Sequence, residues 1–358
     1  MTLVWASGYS GNPGKVKLKA SGTSVNLKAT NSQDYAPKYV RYLINTEAVT
    51  PSTVDYNFGI LAGTVDVDWG DGTSNTGVNS NTTHTYSSPG YYVVTISQNG
   101  TNTFRPDIGL QEISVEHESV EGGGFWDDNM GNVAQNASNL KRWGSVDLGN
   151  VTSLNGAWSN CSSLTSFLLI NTSSCTNFLR CWRQCTSLAS FPAIDTSLGT
   201  SFTLAWEDNA FSTFPALNFS SATIMGRAWA DCANLTAFPA LSAAQRFSSA
   251  MVDGSHPYGG FRSTWRNCTN LTTFPPNIFD DVTNCVRFDV AFSNCALTAQ
   301  SIENILVSIN TANTSNGTLN LNGGTNANTS TWSAAANAAY IALVGRGWTI
   351  TQNGTAPS

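Results

Sequence analysis

Charge is scarce in this chain: Asp, Glu, Lys and Arg make up 11% of its 358 residues, against about 25% in an average globular protein. A surface with so little charge must be covered by Ser, Thr, Asn and Gly, the neutral exterior of extracellular-type proteins. Histidine is scarcer still. His84, His117 and His256 are the complete set, and none belongs to a nucleophile motif such as G-x-S-x-G. The eight cysteines include no C-x-x-C pair, which argues against a zinc site of ordinary spacing. There is no phosphate-cradling glycine loop and no nucleic-acid motif. No run of about 18 apolar residues is available to span a membrane. The N-terminal stretch MTLVWASGYSGNPGK lacks the basic start, apolar segment and small-residue cleavage site of a secretory signal. Read as the start of the gene product, it implies synthesis and assembly in a cytoplasm. These absences point away from hydrolases, metalloenzymes, nucleic-acid binders and membrane spans, and no cofactor or metal is expected.

Apolar material is plentiful, 41% hydrophobic and 11% aromatic, enough for two or three packed units. The net charge of −6 is unevenly spread: residues 1–41 carry +5, from five lysines and Arg41 against Asp34, and the remainder carries −11. The stretch KVKLKASGTSVNLKA, with Lys15, Lys17 and Lys19, alternates as a half-exposed strand does. Two readings apply to these lysines. They solvate a strand face and discourage edge aggregation, or they form an attachment arm.

The strongest feature is a repeat. WSNCSSLTSF (158–167) returns 24 residues later as WRQCTSLASF (182–191). Taking Trp158 as anchor, aromatics recur at Trp182, Trp206, Trp229, Trp265 and Phe292. Periods of this length mark a unit that cannot bury its own apolar face and must stack on the next. Six residues after the anchor stand Leu164, Leu188, Leu235 and Leu271, with Phe211 in the repeat that is one residue short. Phe167, Phe191, Phe214, Phe238 and Phe274 follow, and four before the anchor lie Leu154, Phe178, Phe202, Met225, Phe261 and Phe288. Each column predicts one stacked core position.

The cysteines fall into the same columns. Cys161, Cys185, Cys232, Cys268 and Cys295 sit three after the anchor; Cys175 and Cys285 sit seven before it; Cys181 takes the small slot held elsewhere by Ala157, Ala205 and Ala228. All eight are expected to be reduced and buried, as small hydrophobes. The segment WSNCSSLTSFLLINTSSCTNFLRCWRQCTSL resembles the BspA-like surface-antigen leucine-rich repeat over about residues 136–297. That family is mostly known from cell-surface and secreted binding proteins. The chain departs from the pattern at Asn209, where Cys is expected, and by 12 extra residues between Leu241 and Phe261. The least repeat-like part, VDGSHPYGG (252–260), offers Asp253, His256 and Tyr258, with Arg262 just beyond, as candidate binding residues. Insertions of this kind often bind, and they are also tolerated as plain surface loops.

Upstream, VDVDWGDGTSNTGVNSNTTHTYSSPGYYVVTI (65–96) alternates as strands do around tight turns at Gly70, Asp71 and Gly72 and at Pro89 and Gly90. It resembles the PKD-type immunoglobulin-like domain, whose WGDGT and HTY…PGxYxVT motifs match at Trp69–Thr73 and His84–Thr95. The resemblance implies a β-sandwich serving as spacer or adhesive module, and implies a packed-strand role for His84. Asp66, Asp68 and Asp71 offer oxygens for Ca²⁺, yet too few for a cage; the alternative has Asp71 capping a turn and the other two pointing outward.

Downstream, LTAQSIENILVSINTA puts Ile302, Ile305, Leu306 and Ile309 on one helical face with Thr298 as N-cap. GTLNLNGG reads as a strand, and STWSAAANAAYIALVGRGWTITQ as a helix ending near Gly345 followed by a strand around Trp348 and Ile350. This segment reads as the lid on the last coil. A looser likeness of NGTLNLNGGTNA and GRGWTIT to bacteriophage virion proteins and bacterial surface proteins adds a functional hint. The acid pairs Glu207 with Asp208 and Asp280 with Asp281 are neighbours in sequence, and neighbours on a strand point to opposite faces. That argues against a glycosidase pair, although acids from different coils can still meet. Asn160 and Asn267 open glycosylation triplets, but border the cysteine column, where a glycan has little room.

The sequence thus predicts a mainly β chain with some α: a basic β arm (1–41), a PKD/Ig-like sandwich (42–106), a leucine-rich-repeat solenoid of about six coils (107–297) and an α/β cap (298–358). The expected role is non-enzymatic. It is a virion surface protein, fibre or capsid or tail decoration, attached to other virion proteins through its N-terminal region. It presents a Trp, Asn and Ser surface and the 252–260 loop to a host glycan or protein, with a homo-oligomer as an open option. The rival readings are a bacterial cell-surface adhesin and a polysaccharide-degrading tail protein.

Overall fold

The computed structural model describes residues 39–46, 64–79, 82–99, 131–148, 151–254 and 257–357, together with the strand backbones 17–20, 23–26, 53–56, 59–60, 104–105 and 116–123. The chain is mainly β, with two α-helices among the described residues. Strands β1 (Lys17–Ala20) and β2 (Thr23–Asn26) pair antiparallel, with Lys17 opposite Asn26 and Ala20 opposite Thr23. The stretch expected to form a half-exposed strand therefore contains two paired strands. It lies in a unit of its own, Met1–Pro37, distinct from Lys38–Ser358.

The larger unit opens with β3 (Tyr39–Asn45), β4 (Thr53–Tyr56), β5 (Gly59–Ile60), β6 (Thr64–Asp68) and β7 (Ser74–Val78). It continues with β8 (Thr82–Thr85), β9 (Tyr91–Asn99), β10 (Phe104–Arg105), β11 (Glu116–Gly123), β12 (Arg142–Asp147) and β13 (Ser166–Phe167). Seven of these form one sheet in the order β13-β12-β11-β3-β9-β6-β7, while β4 pairs with β8 and β5 with β10. The sheet is antiparallel until β11, then parallel through β12 and β13. It therefore crosses the expected boundary near residue 107, and β3 begins at Tyr39, inside the stretch read as the basic arm. Val65, Val67, Trp69, Tyr86, Val94 and Ile96 form the core on one side of this sheet. Gly70 is obligatory: it has φ +81°, and an added Cβ would lie 2.6 Å from the Val93 carbonyl oxygen.

From residue 131 onward the chain winds in turns that stack on one another. Alternate backbone N–H groups leave their own turn and donate to the next: Gly156 to Leu179 (2.7 Å), Trp158 to Cys181 (2.8 Å) and Asn160 to Arg183 (2.7 Å), and the same offsets recur at Arg180, Trp182 and Gln184. The N–H groups between them close turns within the coil, as Ser159 does onto Gly156 (3.1 Å). Parallel strand pairing between coils shrinks to single bridges, such as Ser153 to Asn177 to Ser201. The stack is thus held by turns more than by strands. Its geometry requires positive φ two residues before and two after each anchor. The latter column is Asn136, Asn160, Gln184, Asp208, Asp231, Asn267 and Asn294, mostly the Asn and Asp that tolerate this region best.

The aromatic columns are continuous. Trp158, Trp182, Trp206, Trp229 and Trp265 are each 0% exposed, with successive indoles 5.2 to 5.8 Å apart and within 11° of parallel; Phe292 extends the column at 4.9 Å. Phe167, Phe191, Phe214, Phe238 and Phe274 stand edge-on against them. Offset and edge contacts of this kind add about 0.5–1.5 kcal/mol per pair beyond burial. The price is six indole N–H groups, those of Trp143 and the five anchors, buried without an acceptor.

All eight cysteines are free and buried. Five do more than fill space: the thiols of Cys161, Cys185, Cys232, Cys268 and Cys295 donate to the anchor carbonyl of the preceding coil, at Ala134, Trp158, Trp206, Trp229 and Trp265, over 3.0 to 3.2 Å. Asn209 takes the same place, its Nδ2 donating to Trp182 (2.9 Å) and Trp206 (2.8 Å) carbonyls. The departure from cysteine thus preserves the function of the position, a short buried donor. Asn326 closes the series on the Phe292 carbonyl at 2.9 Å. Burial pushes the thiols up, to about 12 for Cys175, Cys232 and Cys295, and well above the ordinary thiol range for Cys181, Cys185 and Cys268.

The inserted residues do not all project. Phe247 is 0% exposed and stacks between Phe219 (5.3 Å) and Phe279 (6.1 Å), supplying its own coil's member of that column. The stack ends in β14 (Arg287–Phe288), α1 (Ala299–Thr311), β15 (Thr318–Leu321), α2 (Ala334–Gly345) and β16 (Thr349–Gln352), with β14, β15 and β16 parallel. Thr298 caps α1 as expected, accepting from the Ser301 N–H, and Ser333 caps α2.

Two outcomes follow. Asn209→Leu leaves the buried Trp182 carbonyl without its side-chain donor, while the Trp206 carbonyl keeps the Cys232 thiol, and is expected to cost about 1–3 kcal/mol, whereas Asn209→Cys costs less; urea unfolding measures both. None of the eight thiols reacts with a thiol reagent in the folded protein, and all do after unfolding.

Candidate functional site

The same stacking that buries the anchors places the residues beside them in register on the outer face of the turns. Arg183 and Glu207 each follow an anchor tryptophan, 24 residues apart, and Arg183 Nε lies 2.6 Å from Glu207 Oε2. Glu207 is only 3% exposed, and its other oxygen meets Arg227 Nη2. That nitrogen also reaches Asp231 Oδ2 at 3.4 Å, which Arg266 Nη2 approaches at 3.3 Å. Asn267 Nδ2 donates to Asp231 Oδ1 (2.7 Å) and Asn294 Nδ2 to Asn267 Oδ1 (2.9 Å). Alongside, Asp289 holds Arg262 (2.9 Å) and Arg287 (3.6 Å). The result is a band of alternating charge crossing successive coils, in a chain with little charge elsewhere.

Glu207 is enclosed, while Asp231 and Asp289 are exposed to about the same degree as the five arginines, so the band shows both signs outward, with guanidinium donors in excess. Arginine forks suit planar, multidentate recognition of carboxylate, phosphate or sulfate groups. A ladder of hydroxyls also runs from coil to coil. Thr176, Thr200 and Thr223 each donate to the threonine carbonyl one coil back, which fixes their orientation.

Other expected site residues are distributed differently. Asp253 Oδ1 accepts the N–H groups of Val286 and Arg287, both at 2.9 Å, and so fastens the insertion to the next coil. Arg262 Nη1 donates to the Pro257 carbonyl at 3.0 Å, in addition to its pairing with Asp289. Tyr258 is half-buried, and its carbonyl lies where any side chain at Gly226 would clash. His256 and Lys15 lie outside the described residues, while Lys17 and Lys19 sit on β1 opposite Asn26 and Ser24. The insertion is therefore tied down by Asp253 and Arg262, leaving fewer free groups than its sequence offers.

The expectation that adjacent acids diverge does not hold at Asp280 and Asp281. They lie in a turn, and Arg246 reaches both, at 3.3 and 2.9 Å. The anchor tryptophans, being buried, are not part of the presented surface, which corrects the expected Trp, Asn and Ser face to one of Thr, Ser, Asn and Arg. Among the described residues no group of three or more His, Cys, Asp or Glu is arranged to hold a metal ion. The three sheet aspartates are engaged locally: Asp66 accepts from the Gly77 N–H, Asp68 from Gly70, and Asp71 from the Thr73 N–H and hydroxyl. His84 stacks flat on Trp69 at 4.7 Å and meets Asp71 Oδ2 at 2.7 Å.

Comparison of the chain with protein-family models, with curated proteins and with solved structures finds no match. The band is not legible from residue type alone, because its charges alternate in sign within a column and sit at several offsets from the anchor. Arg183 and Glu207 occupy one column with opposite sign, and that was the available signal.

Glu207→Ala leaves Arg183 and Arg227 facing each other with no carboxylate between them, and is expected to lower stability by about 1–3 kcal/mol in urea unfolding; the half-exposure of both arginines keeps the cost in that range. At Asp71 burial raises the carboxyl, but the Thr73 hydrogen bonds and His84 outweigh it and hold it below the ordinary value. Its contribution is present above the unfolded aspartate pKa of about 3.9 and is lost as pH falls through the lower folded value. Acid unfolding followed in this range is less steep for Asp71→Asn.

Proposed function

We propose that this chain is a non-enzymatic surface protein of a virus particle, acting as a fibre or as a capsid or tail decoration. In this reading the stacked turns are a leucine-rich-repeat solenoid of the BspA-like type, the sheet around Trp69 belongs to a PKD/Ig-like sandwich that spaces it, and residues 298–358 cap its end. The basic N-terminal residues attach it to other particle proteins, consistent with their forming a unit of their own. The observation that carries the reading is the complete burial of the Trp and Cys columns. The reactive and aromatic side chains are spent on architecture, and what remains outside is a rigid surface carrying the hydroxyl ladder and the arginine band. No helix among the described residues is long and apolar enough to cross a membrane.

The test is binding of the purified full chain. Tight, saturable binding to purified particles that lack it marks a decoration protein. Binding to host cells, with infection blocked by excess chain, marks a fibre, and the triple variant Arg183→Ala, Arg227→Ala, Arg266→Ala then loses cell binding by roughly tenfold or more. Binding to neither, or release of reducing ends from bacterial surface polysaccharide, overturns the proposal.

A further inference from the structure

One arginine of the stack stands apart from the ion pairs. Arg180 is exposed, and its guanidinium has no ion-pair or hydrogen-bond partner among the described residues. Its backbone is fixed, with φ +55° and the N–H donating to the Thr203 carbonyl at 2.9 Å. Arg183, in the same coil, commits only Nε, to Glu207 at 2.6 Å; its two Nη atoms are left over. Arg227 has the offset of Arg180, two before its anchor. Its Nη2 is held by Glu207 and Asp231, and its Nη1 makes no bond among the described residues. The coil between them carries Leu204 at that offset, 5% exposed. Uncommitted guanidinium donors therefore recur in every second coil here, roughly 10 Å apart at the usual spacing of neighbouring strands.

The acids interleaved with these donors select the kind of anion that fits. Asp231 is partly exposed, and Asp208 stands at the same offset one coil earlier. Duplex nucleic acid carries about one charge per 1.7 Å of its axis, so a strand laid along the coils sets phosphates against these carboxylates as well as against the arginines. Bases also lack a stacking platform here, because the Trp anchors and the Phe column beside them are buried. A polysaccharide with an acidic group on every second sugar has neither difficulty. Guanidinium forks take its carboxylates in bidentate fashion, and the intervening Asp oxygens accept hydrogen bonds from the hydroxyls of the neutral sugars between. Alternating sign, which repels a dense polyanion, is complementary to a sparse one.

We propose that this face binds an acidic polysaccharide whose carboxylates are separated by neutral sugars, with Arg180 and Arg183 engaging one carboxylate and Arg227 the next. The inference rests on the reading above that this face is the presented surface, and it names the class of ligand. The probe is hyaluronan, with one carboxylate in each disaccharide; carboxyl-reduced hyaluronan and duplex DNA are the comparators, all immobilised and met by the full chain at one ionic strength. The chain is expected to bind hyaluronan, less tightly as salt is added, and to bind the two comparators at least tenfold more weakly. Arg180→Ala lowers the affinity for hyaluronan roughly tenfold, as loss of a hydrogen bond between charged groups does, and Arg180→Glu lowers it further. Arg180 has no side-chain partner to lose, so both variants keep the native urea midpoint and the loss is one of binding alone. No binding to hyaluronan, equal binding to its carboxyl-reduced form, tighter binding to DNA, or an affinity unchanged by Arg180→Glu overturns the proposal. A chain that binds particles or cells but not hyaluronan sinks this inference and spares the virus-surface reading; one that binds hyaluronan but neither of those does the reverse.

Discussion

Everything above residue 131 depends on one constraint: alternate backbone N–H groups are satisfied by the next coil and not by their own. A buried amide without a partner costs about as much as a lost hydrogen bond, so each coil is incomplete until its neighbour is in place. That requirement fixes the register at the anchors, which is kept across the short coil (Trp206 N–H to Ala228) and across the lengthened one (Trp229 N–H to Thr264). It also forces positive φ at two columns per coil, which is why Asn and Asp gather two residues after each anchor. Anchor carbonyls such as those of Trp158, Trp229 and Trp265 accept one backbone N–H within their own coil, and the thiol or amide three residues after the next anchor supplies a second donor. Tryptophan stacking, cysteine spacing and asparagine placement are three consequences of the same backbone arrangement.

The repeat was legible because packing columns are written directly in residue type. Trp, Phe, Leu and Cys recur at fixed offsets, and the structure buries them at those offsets. The turn-based character of the stack was not legible, since periodicity reports which residues face inward and not how the backbone between them is bonded. The same limit explains Asp280 and Asp281, whose divergence was argued from a strand that is a turn. By residue type Asn209 departs from the cysteine column; as a buried hydrogen-bond donor it continues it. Phe247 was hidden inside an insertion whose other residues resemble a loop.

The candidate site shows how a repeat converts sparse charge into an organised surface. Isolated ion pairs on an exposed face contribute little to stability, but here successive coils hold Arg183, Glu207, Arg227, Asp231 and Arg266 in line. The order comes from the backbone beneath, and the side chains inherit it. A face prepared in this way loses little conformational freedom on meeting a partner, which is the condition under which modest polar contacts yield usable affinity.

The thiol columns carry a final implication. Disulfide exchange proceeds through the thiolate, and burial withholds that form from these cysteines across the physiological range. The fold needs no covalent cross-link and leaves none to be scrambled. A molecule organised in this manner keeps one covalent connectivity whether it stands in a reducing interior or an oxidising medium, and it can pass from one to the other without an isomerase or a maturation step.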